Sequence, residues 1–206
     1  MNDAPLRLAA VLFEGFETLD VFGPLQIFGN APDVFEIFTV APASGPVRSR
    51  QGQRVVAEYD LHSCPEPEAL LVPGGWGTRE LVDDEHFIEW LGARGREASL
   101  TMSVCTGAAL IARAGLLDGK RATTNKLAFD WVRSHGPEVE WQTHARWIDE
   151  GEVVTSAGVS AGIDMALSVI ARLVGEDRAR LLADLAEYEW NRNPDQDRFA
   201  TAAGLA

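Results

Sequence analysis

Apolar residues along the chain fall in short runs cut by glycine, proline and acidic turns, and two periods alternate between the cuts. The stretch "LRLAAVLFEG" is a short apolar run ending in Gly15, which suits a central strand. "LDVFGPLQIFG" then reads as a helix with Pro24 in an early turn, where a missing N–H costs little. "FEIFTVAP" predicts a second strand, followed by a polar, Gly/Pro-punctuated excursion around residues 42–65. "EALLVPGG" is another buried strand, ending at Gly74 and Gly75. "DDEHFIEWLGARGRE" starts acidic and carries Phe87, Ile88, Trp90 and Leu91 for a core face, which predicts a helix. "SLTMSVC" is a strand that runs straight into an alanine-rich helix.

A helix is predicted over roughly residues 126–134, and "VEWQTHARWIDEGEVVTSAG" reads as two strands around a turn near Glu150–Gly151. Ile163, Ala166, Leu167, Ile170, Leu173 and Val174 keep the i, i+3, i+4, i+7 spacing of a helix. The last strong helix covers residues 176–190, and the tail "NRNPDQDRFATAAGLA" is expected to be peripheral. Strands alternating with helices predict an α/β fold, a three-layer α/β/α sandwich with a mostly parallel central sheet, in one domain over 1–206. Ligands of such sheets bind at the carboxyl ends of the strands. Three turns fall at such ends: Glu14–Gly15, Gly74–Gly75 and Cys105.

Composition narrows the classes. At 206 residues and 46% hydrophobic, the chain can bury one good core. Its net charge of −13 repels phosphate backbones, so nucleic acid is not an expected partner. No apolar run approaches the roughly 20 residues that span a bilayer, and the N-terminus lacks the pattern of a signal peptide. A soluble, cytoplasmic protein is expected. Cys64 and Cys105 are too few for a disulfide framework and have no zinc-type spacing. The one basic cluster, Arg48, Arg50 and Arg54, reads as charge on a hairpin or edge strand that discourages aggregation, in preference to anion binding.

The candidate chemistry starts from Ser103-Val104-Cys105-Thr106-Gly107. Small residues two before and two after a nucleophile permit a sharp strand-to-helix turn, the nucleophile elbow. There a thiol meets a helix N-terminus, which favours thiolate and lowers its pKa, and the Thr106 N–H lies near charge that develops on a substrate. The alternative is a small apolar cysteine closing a buried strand. "VPGGWGT" supplies Gly74 and Gly75, whose exposed N–H groups are candidate oxyanion donors, or a plain turn. Asp20, flanked by Leu19, Val21 and Phe22, is expected to be partly buried with a raised pKa, fit for general acid–base work. It could equally cap a helix, and Glu14 and Glu17 are rival carboxylates. Trp76 is a candidate wall of an apolar pocket.

With these motifs in view, the chain resembles the DJ-1/PfpI superfamily, and within it the isocyanide hydratase-like group. The stretches that carry the resemblance are "LFEGFETLDVFGP", "LLVPGGWGT", "SVCTGAALIARAGLLDGKRATT" and "TSAGVSAGIDMAL", spanning about residues 7–175. The resemblance implies a DJ-1-like, flavodoxin-like fold, a homodimer, and no metal or organic cofactor. It places Cys105 on the reactive cysteine, Asp20 on the acid that hydrogen-bonds it, and Gly75 and Thr106 where backbone amides face the nucleophile. Aspartate at this position favours the hydratase branch, which converts isocyanides to N-substituted formamides through a thioimidate; the acidic chain favours small, neutral substrates. Where many relatives carry a histidine after "TT", this chain has Asn125, so peptidase chemistry is not expected. Asn125 could hydrogen-bond substrate or water, or cap the helix that begins at Lys126. Two other functions belong to the same superfamily: conversion of methylglyoxal, which uses the absent histidine, and a non-catalytic redox- or electrophile-sensing or ligand-binding role.

Overall fold

A computed structural model describes residues 4–205. In chain order the strands are β1 (Leu6–Val11), β2 (Phe35–Ala41), β3 (Gly45–Arg48), β4 (Arg54–Ala57), β5 (Tyr59–Asp60) and β6 (Ala69–Val72). They continue as β7 (Leu100–Val104), β8 (Arg121–Ala122), β9 (Glu140–Trp141), β10 (Trp147–Asp149) and β11 (Val153–Ser156). The helices are α1 (Thr18–Phe28), α2 (Thr78–Leu81), α3 (Glu85–Glu97), α4 (Gly107–Arg113), α5 (Phe129–Arg133), α6 (Ala161–Val174), α7 (Glu176–Leu185) and α8 (Phe199–Ala202).

Seven strands form the central sheet in the order β10-β11-β7-β6-β1-β2-β5, parallel except for the antiparallel edge strand β10. Its continuously apolar strands serve two cores at once. In β6, Ala69 and Leu71 face one apolar layer while Leu70 and Val72 face the other. Helices α1, α6 and α7 pack on the first side; α3 and α4 pack on the second. This is the expected α/β/α sandwich. Because β1, β6, β7 and β11 run parallel, their carboxyl ends share one edge of the sheet. Among the described residues no helix is long and apolar enough to cross a membrane.

Four expectations are corrected in detail. Pro24 lies in the middle of α1, so it removes the N–H that would have bonded the Asp20 carbonyl. The helix expected over 126–134 shrinks to α5. The helix expected to reach 190 ends at Leu185, because Glu187 turns left-handed (φ 48°) and the Tyr188 N–H closes the end on Ala183 O at 2.9 Å. The tail is docked where a peripheral one was expected: Asp197 and Ala200 are buried, and the Asp197 N–H donates to His144 O at 2.6 Å. Buried Arg146 bridges this tail to α6, lying 2.6 Å from Asp164 and 3.8 Å from Asp197. An ion pair between α6 and a residue 18 positions earlier has no local signature in sequence.

Candidate active site

The strand β7 and helix α4 meet at Cys105, which holds φ at +57°. A left-handed residue with a Cβ costs about 1–2 kcal/mol, so the neighbourhood must enforce it. The Cys105 N–H donates to Ser156 O (3.2 Å) and Ala157 O (3.1 Å), and Thr124 Oγ1 donates to Cys105 O at 2.7 Å. Gly107 must be glycine, since a Cβ there would lie 2.3 Å from Val72 O. The elbow expected from small residues at 103 and 107 is therefore present, with Cys105 only 7% exposed.

Asp20 emerges as the buried carboxylate of the three rivals. The cause is helical phase: Asp20, Val21, Pro24, Ile27 and Phe28 form the buried stripe of α1, while the flanking Leu19 and Phe22 face outward. The Gly74 N–H donates to Asp20 Oδ2 at 2.9 Å, and Oδ1 is buried without a well-aligned partner. A Cβ on Gly74 would strike Thr106 N at 2.5 Å and Asp20 Oδ2 at 2.9 Å, so only glycine lets these groups meet. Glu14 instead accepts the Arg48 N–H, and Glu17 sits beside Arg50.

Asp20 and Cys105 hold protons strongly. Burial pushes the Asp20 carboxyl up from 3.8 to about 8; the Gly74 N–H pulls it down, Glu17 adds to the rise, and Cys105 opposes it. Burial also pushes the Cys105 thiol up, reinforced by the charge of Asp20. The N–H groups of Thr106 and Val159 and the Asn125 side chain favour the anionic sulfur in return. The expectation of a thiolate stabilised by the helix end is thus corrected: α4 has seven residues, and burial beside an acid outweighs it. The pair carries at most one negative charge near neutrality, shared between sulfur and carboxyl.

The glycine donors are also reassigned. The Gly74 N–H is spent on Asp20, and the Gly75 N–H donates to Thr106 Oγ1 at 3.1 Å. The donors that face the sulfur are the N–H groups of Thr106 and Val159. Val159, a β-branched residue at φ +37°, lies in the "TSAGVSAG" loop, and no local pattern singled it out. The helix that Asn125 was expected to cap does not begin at Lys126: α5 starts at Phe129 with Ala128 as its N-cap and no side-chain cap. Asn125 Oδ1 instead accepts the Ala128 N–H at 3.0 Å in the turn ahead of α5, and this turns its amide NH₂ towards Cys105. Gly158 leaves room for that amide, since a Cβ there would lie 2.5 Å from Asn125 Nδ2.

In front of the sulfur opens a cavity of about 530 Å³. Trp76, 59% exposed, lines it together with Trp131 and Leu127. Arg50 and Arg79 line it too; Arg50 comes from the turn between β3 and β4, whose hairpin was expected, but its place in the cavity was not. No local pattern distinguished Arg79 or Trp131. Among the described residues no histidine lines this cavity, and no group of three or more His, Cys, Asp or Glu is arranged to hold a metal ion.

The DJ-1/PfpI family profile matches residues 7–172. Isonitrile hydratase of Pseudomonas putida is 33% identical over 183 residues, covering 89% of this chain and 78% of that protein. The HTH-type transcriptional regulator GbdR of Pseudomonas aeruginosa is 26% identical, over 95% of this chain and 54% of the regulator. The crystal structure of a ThiJ/PfpI family protein from Pseudomonas syringae superposes with a TM-score of 0.84 at 30% identity, covering 91% of this chain and 77% of that one.

Proposed function

The chain belongs to the DJ-1/PfpI family, and from that membership we propose that it hydrates isocyanides to N-substituted formamides, with Cys105 as nucleophile, Asp20 as proton carrier and no cofactor. The observation that carries this reading is the buried Cys105–Asp20 pair, which shares its protons with no imidazole at hand. An isocyanide needs one nucleophile and one proton delivered to the same carbon, and the pair supplies both. With one proton left on the pair, the Cys105 thiolate attacks the terminal carbon of R–N≡C and the proton held by Asp20 goes to that carbon, giving the thioimidate R–N=CH–S–Cys105. Water then adds across the C=N bond while Asp20 takes and returns a proton. The C–S bond breaks as the hydroxyl proton passes to Asp20, releasing R–NH–CHO and restoring the thiolate and the protonated carboxyl. The N–H groups of Thr106 and Val159 orient the intermediate and support charge on sulfur as it leaves.

Turnover of p-nitrophenyl isocyanide, followed by absorbance as the formamide appears, tests the proposal. Formation of p-nitroformanilide by the protein supports it, and an unchanged spectrum at high enzyme concentration removes this substrate class. A redox-sensing role has weaker support, because sensor thiols are exposed and acidic whereas this one is buried and pushed up. Conversion of methylglyoxal lacks the histidine it commonly uses.

Asn125 and Gly158 offer a sharper test of the geometry. Removing a hydrogen-bond donor to a charged sulfur costs about 10- to 100-fold in rate, so Asn125→Ala should lower kcat by that much. Gly158→Ala pushes the amide aside and should cost a similar factor. Since Gly158 acts only through Asn125, the double variant should be no slower than Asn125→Ala alone, a non-additivity that steady-state kinetics will reveal. Additive losses would show that Gly158 matters for another reason.

A further inference from the structure

The cavity in front of Cys105 holds more positive charge than its acids balance. Arg79 lies across the Trp131 ring at 4.0 Å and beside Trp76 at 5.2 Å. Its Nη1 donates to neutral oxygens, Thr78 Oγ1 at 3.1 Å and Gly75 O at 3.4 Å. Among the described residues no carboxylate pairs with it. Glu17 is the one carboxylate among the lining residues, and it is engaged by Arg50 at 3.9 Å and by the Gln51 side chain. While the Cys105–Asp20 pair keeps both protons, two guanidinium groups thus face one carboxylate, in a chain with 31 acidic and 18 basic residues. Burial works most strongly against the Arg79 charge and Arg50 adds to that, while charge on Cys105 works the other way.

Two indole rings hold the Arg79 guanidinium in place, so its fork of donors loses little freedom when it binds a planar anion. The chain's overall negative charge is screened beyond roughly 8 Å at physiological salt, and an ion pair made in contact escapes most of that screening. We infer that Arg79 receives a carboxylate carried by the substrate, so that the preferred substrates are isocyanides bearing a carboxylate on the side away from the reacting carbon. The inference rests on the hydration reading for its chemistry, and on Arg79, Trp131 and Trp76 for its selectivity. It replaces the neutral substrates that net charge alone suggests.

Isocyanoacetate and its ethyl ester should be compared as substrates of the full chain, of Arg79→Gln and of Arg79→Lys, with melting temperatures recorded for each. A charge-assisted pair predicts kcat/KM at least about tenfold higher for the acid than for the ester, with the difference in KM. Arg79→Gln should abolish that preference and Arg79→Lys retain part of it. In parallel, N-formylglycine and its ethyl ester should be titrated by calorimetry, which requires no turnover. The acid should bind and the ester should not, and Arg79→Gln should remove the difference. An ester used as well as the acid overturns the inference while leaving hydration standing. Equal losses on acid and ester in Arg79→Gln also overturn it, and make Arg79 a prop for the two tryptophans. Binding of N-formylglycine that depends on Arg79, with neither isocyanide consumed, upholds the anion site and removes the hydration reading.

Discussion

Cys105→Ala should reduce consumption of p-nitrophenyl isocyanide to the rate in buffer alone, with the fold intact. Nothing else in the cavity can replace the sulfur: the remaining lining is indole, guanidinium, amide, hydroxyl and aliphatic side chains, and Glu17 is engaged by Arg50. The substitution keeps a Cβ on the left-handed residue, so the elbow's strain is unchanged. It also keeps the Cys105 N–H and C=O bonds to Ser156, Ala157 and Thr124. A stability change within about 1 kcal/mol is expected, since the lost atom borders a cavity and leaves no sealed void. Circular dichroism and thermal melting check the fold. Activity that survives the substitution would place the chemistry on another group.

Asp20→Asn should lower kcat by about 10²–10⁴-fold, the usual worth of a positioned acid–base group. The asparagine amide oxygen can still accept the Gly74 N–H, so the side chain keeps its place while losing its proton. The pH dependence gives a second readout. In the wild type, the reactive form has lost one of the two protons held by the pair and delivers the one that remains, so kcat/KM should rise with pH and level off near pH 8, where the pair sheds its first proton. That rise should vanish in the variant.

Stability should change in the opposite sense. The folded state holds the Asp20 proton up to about pH 8 while the unfolded chain releases it near 3.8, so the folded state binds the extra proton between those values. Wild-type stability from this group is full below about pH 4 and is lost as pH rises towards 8. Asn carries no such slope, so the melting temperature of Asp20→Asn should gain on the wild type across that range and then stay ahead. A variant that loses activity and also melts progressively lower with rising pH would mean that Asp20 is a stabilising anion in the fold.

The difference between what was legible and what was not follows the range of the interaction. Alternating apolar runs and glycine stops announced β1, β6 and β7 because a doubly covered strand has no polar face to disguise it. Small residues around Cys105 announced the elbow because a sharp strand-to-helix turn admits few others, although the backbone Gly107 must clear, at Val72 and Pro73, belongs to the neighbouring strand. Asp20 was marked as buried, but for a reason only partly right, since Leu19 and Phe22 face out and the helical stripe does the burying.

By itself, the sequence determined the α/β/α layering, the position of Cys105 on a turn, and the small residues such a turn requires. It did so because backbone sterics and hydrophobic periodicity act over a few residues. Tertiary structure alone decided which carboxylate meets the sulfur and where each glycine N–H points. It also moved the donor role to Val159, brought Arg50 and Arg79 to the cavity, and docked the tail on Arg146. Those outcomes depend on groups far apart in the chain, where burial and neighbouring charge set proton affinity, and no local pattern records which distant group will arrive.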